Sequence, residues 1–149
     1  MGQLLILYAS GTGNTELLAE AMVAHLKANN CQVRMKTFDL DSIDVDEIFE
    51  YDAVLIGTYT WDDGELPYEV EDFYDDLEDV DVTGKVFGVF GSADSFYDTY
   101  GGAVDLIADR LEKSGGRLVT ERLKVDLEPE EEDILRCEQF VDEILELMK

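Results

Sequence analysis

The stretch Leu4-Leu5-Ile6-Leu7-Tyr8-Ala9-Ser10-Gly11-Thr12-Gly13-Asn14-Thr15 decides the fold of this chain. Six apolar residues in a row read as a strand buried on both faces. The next six are small, hydroxylated or glycine, and a helical pattern opens near Asn14. A strand, a glycine-rich loop and a helix N-terminus together form an anion cradle, because backbone N–H groups and the positive end of the helix dipole converge there. No Lys or Arg precedes Lys27, so the loop is not a Walker A loop, which needs a lysine for the outer phosphates of a nucleoside triphosphate. Hydroxyls and amides without a cation suit one phosphate monoester.

Working outward, the predicted order is strand 3–9, helix 14–29, strand 32–38, a short helix near 44–49, strand 52–59, helix 67–78, strand 85–91, helix 101–114, strand 117–125 and helix 129–148. Alternating strands and helices imply an α/β fold, a parallel sheet with helices on both faces. The runs Leu4–Tyr8, Ala53–Ile56 and Val86–Phe90 are nearly all apolar and read as central strands. Residues 32–36 and 120–125 mix polar with apolar and read as edges. Five strands so sorted give the order 2-1-3-4-5, and a ligand is expected at the carboxyl ends where the order reverses. Loops 10–15, 58–66 and 91–97 would meet there. No repeat, linker or second domain is visible, so residues 1–149 read as a single domain.

Composition sets limits on partners. The formal charge is −25, residues 37–84 hold 18 acids and no base, and residues 126–146 hold 10 acids against one Arg. Nucleic acid and anionic membranes would be repelled. No apolar run approaches a membrane span and no secretory signal is expected. Cys31 and Cys137 form no CxxC; Cys137 falls on a helical apolar stripe and reads as a small buried hydrophobe in a reduced compartment. His25 reads as a core-edge residue at a helix C-terminus.

The second loop, Thr58-Tyr59-Thr60-Trp61-Asp62-Asp63-Gly64-Glu65, carries the one Trp of the chain. The third, Gly91-Ser92-Ala93-Asp94-Ser95-Phe96-Tyr97, adds aromatics and backbone groups. The three loops offer phosphate donors and two aromatic faces but no acid–base pair, nucleophile or metal cluster. Such a site holds a ring system and does little chemistry on it.

In these residues the chain resembles a short-chain flavodoxin, from residue 3 to its end. Ser10-Gly11-Thr12-Gly13-Asn14-Thr15 is similar to that family's phosphate loop. Trp61, after Gly57-Thr58-Tyr59-Thr60, is similar to the aromatic over the inner flavin face, and Tyr97, between Gly91 and Gly101-Gly102, to the one over the outer face. The resemblance implies a flavodoxin-like fold and non-covalently bound FMN. Its cofactor-binding residues would be Ser10, Gly11, Thr12, Gly13, Asn14, Thr15, Thr58, Tyr59, Thr60, Trp61, Asp62, Gly64, Gly91, Ser92, Ala93, Asp94 and Tyr97, with no catalytic or metal-binding residues. It implies a low-potential one-electron carrier, not an enzyme: a cytoplasmic monomer passing electrons from a ferredoxin/flavodoxin-type reductase to redox enzymes with basic docking surfaces. Two rivals share the fold, a flavoprotein activator of a metalloenzyme and a non-redox module for another phosphorylated ligand. A phosphorylation receiver needs acids after its first strand, where Ser10-Gly11 stand, and a low-molecular-weight phosphatase needs Cys-x5-Arg, which neither cysteine begins. Asp62 and Ala93 stand where family members often carry Gly. At position 62 a backbone flip to φ > 0 is costlier for Asp, so the one-electron-reduced flavin should be stabilised less.

Overall fold

The computed structural model describes residues 2–61, 64–94, 100–119 and 121–149. Strand β1 (Gln3–Tyr8) leads through the glycine loop into helix α1 (Asn14–Ala28), and β2 (Gln32–Thr37) returns beside it. Then follow β3 (Ala53–Gly57), α2 (Glu71–Leu77), β4 (Val86–Ala93), α3 (Gly102–Lys113), the short β5 (Arg117–Leu118), β6 (Leu123–Asp126) and α4 (Glu131–Leu147). The sheet order is β2-β1-β3-β4-β5, with every pairing parallel. The 2-1-3-4-5 order read from the apolar and mixed strands is therefore the order found.

The predicted strand over 117–125 differs in one respect. It is broken, and both pieces pair with β4: Val86 and Phe87 face Arg117 and Leu118, while Phe90 to Ala93 face Leu123 to Asp126. The break puts the Arg122 guanidinium within 2.6–3.0 Å of Asp105, Asp109 and Glu112 on α3. The short helix expected near 44–49 is a 3-10 turn, Val45–Glu50, capped reciprocally by Asp44 and Glu47. With Ile48 as its one buried residue, it has no apolar stripe to drive an α-helix. The helix expected over 67–78 begins as a 3-10 turn, Tyr68–Val70, before α2.

Alternation along β1 sorts the core into two layers. Leu4 and Ile6 pack with Leu18, Met22 and Leu26 of α1 and Phe140, Val141 and Ile144 of α4. Leu5 and Leu7 pack on the opposite face with Phe73 and Leu77 of α2 and Val104, Ile107 and Leu111 of α3. Each fully buried Leu, Ile or Phe contributes roughly 1.5–3 kcal/mol, so the two layers fix the sheet and hold its carboxyl edge in place. Cys137 is buried in the first layer, and burial pushes its thiol up to about 12. His25 sits at the α1–α4 seam, its Nε2 2.8 Å from Asp142 Oδ1.

Candidate functional site

A crevice of about 660 Å³ opens at the carboxyl ends of β1, β3 and β4, where the strand order reverses. Its lining comes from all three loops read in the sequence: Gly11, Thr12 and Asn14; Tyr59, Thr60 and Trp61; Ser92, Ala93 and Asp94. Gly101 and Leu127 complete it. The volume lies within the range of small-molecule and cofactor pockets. No Lys, Arg, His or Cys is among the described lining residues, and no group of His, Cys, Asp or Glu among the described residues could hold a metal ion.

The first loop is shaped from within. Gly13, the residue capping α1, has φ of 95°, a left-handed conformation open to glycine at little cost. Ser10 Oγ turns inward and accepts from the N–H groups of Gly13 (3.0 Å) and Glu16 (3.3 Å). Thr15 is fully buried, its hydroxyl 2.7 Å from that of Ser92. The Ser10 and Thr15 hydroxyls thus brace the scaffold, and Ser10 Oγ, an acceptor in both of its bonds, keeps its own proton to donate. Among the described residues no protein group accepts from the N–H groups of Gly11, Thr12, Asn14 or Thr15. Four free donors at a helix N-terminus are what an anion needs.

The second loop leaves β3 at Thr58, which is buried and donates to the Tyr59 carbonyl. The Tyr59 ring lies against Gly11, where a Cβ would be 3.3 Å from it. Its hydroxyl donates to Glu69 at 3.0 Å. Burial, then that hydrogen bond, pushes the Tyr59 phenol up to about 12. Trp61 and Glu65 close the loop with two backbone hydrogen bonds of 2.8 and 2.9 Å. Gly64, with φ of 100°, makes the turn between them and stays outside the lining. Trp61 is 60% exposed while lining the crevice, so it offers a flat apolar face to a ligand. The loop is tied to α3 by the Ala103 N–H, 3.3 Å from Thr60 Oγ1.

The third loop begins where Gly91 passes close to the second. A Cβ there would collide with the Thr58 carbonyl oxygen and lie 2.7 Å from Val104 Cγ2. Asp62 and Tyr97, both read as site residues, lie outside the described residues. Sequence reasoning missed Gly101 and Leu127. Leu127 adopts a positive φ of 59° and donates its N–H to Ala93 at 2.8 Å, which turns it into the crevice rim. Nothing in its side chain signals that conformation. Gly101, at φ of 66°, caps α3 in the Gly101-Gly102 pair.

The family model described as Flavodoxin matches residues 6–140. The chain is 38% identical over 134 residues to "Probable flavodoxin 2" of Bacillus subtilis (strain 168), covering 89% of this chain and 87% of that one. The crystal structure of oxidised Flavodoxin 1 from Bacillus cereus superposes with a TM-score of 0.92 at 39% identity, covering 97% of each chain. A Fusobacterium nucleatum flavodoxin, crystallised bound to flavin mononucleotide, shares the fold at a TM-score of 0.80 and 22% identity, covering 100% of each chain. The loops that build the crevice lie inside the matched region, and the chain belongs to the flavodoxin family.

Proposed function

We propose that this chain holds FMN in the crevice between its three loops and works as a low-potential one-electron carrier. The observation that carries this reading is a cavity whose described lining joins the uncharged loop residues Gly11, Thr12 and Asn14 to an exposed tryptophan, with no cation among them. A phosphate monoester joined to a flat ring system matches that donor set. FMN supplies the electron storage when bound, and the protein supplies binding, orientation and electrostatics.

The N–H groups of Gly11, Thr12, Asn14 and Thr15 would hold the phosphate, in a loop shaped by Gly13 and braced by the Ser10 and Thr15 hydroxyls. Trp61 would pack on one face of the ring and Tyr97 on the other. Backbone groups of 58–62 and 92–94, with Gly64 making the turn, would meet its polar edge. Asp94 in the lining and Glu65, paired with Trp61, put negative charge at the site. Such a field disfavours added negative charge; about 1.4 kcal/mol of it lowers a one-electron potential by about 59 mV.

As a member of the flavodoxin family the chain would act as a carrier rather than as an enzyme. Its partners would be a ferredoxin/flavodoxin-type reductase as donor and redox enzymes with basic docking faces as acceptors. We place it in the cytoplasm as a monomer, with residues 1–149 as one unit; no helix among the described residues is long and apolar enough to cross a membrane. Adding FMN to purified apoprotein and following the visible spectrum tests the reading. Binding near one equivalent, with a reductive titration giving a second one-electron potential below that of free FMN, is expected. Failure to bind FMN, or potentials no lower than those of the free flavin, would overturn it.

A further inference from the structure

Behind the crevice wall lies a carboxyl pair that the site itself does not use. Glu69, in the 3-10 turn Tyr68–Val70, accepts the Tyr59 hydroxyl through both oxygens, at 3.3 and 3.0 Å. Asp39, in the loop after β2, is near enough to act on Glu69. Burial, then the Asp39 contact, raises the Glu69 pKa above the ordinary carboxylate value. The Tyr59 ring that Glu69 holds is the ring that lies against Gly11 in the anion loop. Position and charge at the pair are therefore felt one side chain away from the cradle.

Resting on the reading that the crevice takes FMN, we propose that Glu69 is a positioning residue for the phosphate loop: by accepting from the Tyr59 hydroxyl it seats the Tyr59 ring against Gly11. The groups facing the pair are Tyr59 after β3, and on the Asp39 side Tyr8 of β1, which is itself near Glu16 and Glu20 of α1. Glu71 and Asp72 follow Glu69 on its own segment. All of these are acids or phenols. Position and binding are coupled reciprocally: a bound phosphate favours the seated ring, and an unseated ring weakens phosphate binding.

The test compares FMN with riboflavin, which has the same ring and no phosphate. Full-length apoprotein is titrated with each at pH 7 by quenching of flavin fluorescence. The readout is the selectivity, the riboflavin Kd divided by the FMN Kd. Tyr59→Phe keeps the ring and deletes the hydroxyl; selectivity should fall about 3- to 10-fold, the worth of one hydrogen bond, with the riboflavin Kd unchanged. Glu69→Gln keeps an acceptor for the Tyr59 hydroxyl and should hold the wild-type selectivity, whereas Glu69→Ala should lose it as Tyr59→Phe does. Unchanged selectivity in Tyr59→Phe or in Glu69→Ala would overturn the inference alone. A wild-type protein that binds neither flavin would remove the FMN reading, and the inference with it.

Discussion

The Thr15 and Ser92 hydroxyls meet at 2.7 Å inside the molecule, joining the first turn of α1 to the end of β4 across 77 residues of sequence. The Ser92 N–H also points to Thr15 Oγ1, at 3.4 Å. Two loops of the crevice are thus locked together from below. Removing one hydroxyl leaves the other buried without its partner, which costs about 1–3 kcal/mol. Thr15→Val and Ser92→Ala should each destabilise the apoprotein by that amount in urea unfolding, and the double variant by less than the sum. Strict additivity would show that the two hydroxyls do not act as a pair.

Gly91 is required by space rather than by conformation. A methyl group there meets the Thr58 carbonyl and Val104, which belong to two different elements and cannot both retreat. Gly91→Ala should cost about 3 kcal/mol or more and weaken FMN binding, because it pries the second loop from the third. Thermal unfolding of the apoprotein checks the first effect. A variant as stable as wild type would mean that the loops part easily.

Trp61 is the one tryptophan in the chain, so its fluorescence reports on the crevice directly. Added FMN should quench it in proportion to occupancy. Trp61→Ala should weaken binding about tenfold, through lost ring contact and buried area. Emission unmoved by saturating FMN would place the ligand elsewhere.

Asp105 links stability to acid. Burial alone would raise its pKa, but hydrogen bonds from Lys124 and Arg122 hold it below the ordinary value of 3.8. A group with a depressed folded pKa stabilises the protein above its unfolded pKa, and that contribution is lost as pH falls through the folded value. Asp105→Asn should be less stable than wild type at pH 7, and the difference should shrink below pH about 3.8. Urea unfolding at pH 7 and pH 3 decides it, and a constant gap would count against the ion pairs. Glu69 has the opposite sign: its raised pKa adds stability below the ordinary 4.5, which fades as pH climbs through the folded value.

The acidic run over 37–84 predicts a salt effect on electron transfer. Screening shortens charge interactions to about 8 Å near physiological ionic strength. Reduction by a basic-faced reductase should slow as salt rises, as stopped-flow rates would show. Flat rates would argue against electrostatic docking.

What the sequence determined by itself was local. The unbroken apolar run of β1, the Gly-rich loop after it and the dipole end of α1 are contiguous, so the anion cradle was legible from twelve residues. The strand order followed from which runs were wholly apolar, because burial on both faces leaves no room for polar side chains. Tertiary structure decided which partner each polar group takes. Ser10 and Thr15 carry the right chemistry for a phosphate, yet their hydroxyls close bonds with Gly13, Glu16 and Ser92. The break between β5 and β6 depends on register against β4, and Leu127 is turned into the rim by a bond to Ala93. Tyr59 meets Glu69 only once the connection between β3 and α2 has folded back on itself. Periodicity and turn chemistry are properties of neighbouring residues, whereas hydrogen-bond pairing across the sheet edge exists only after the two core layers have packed.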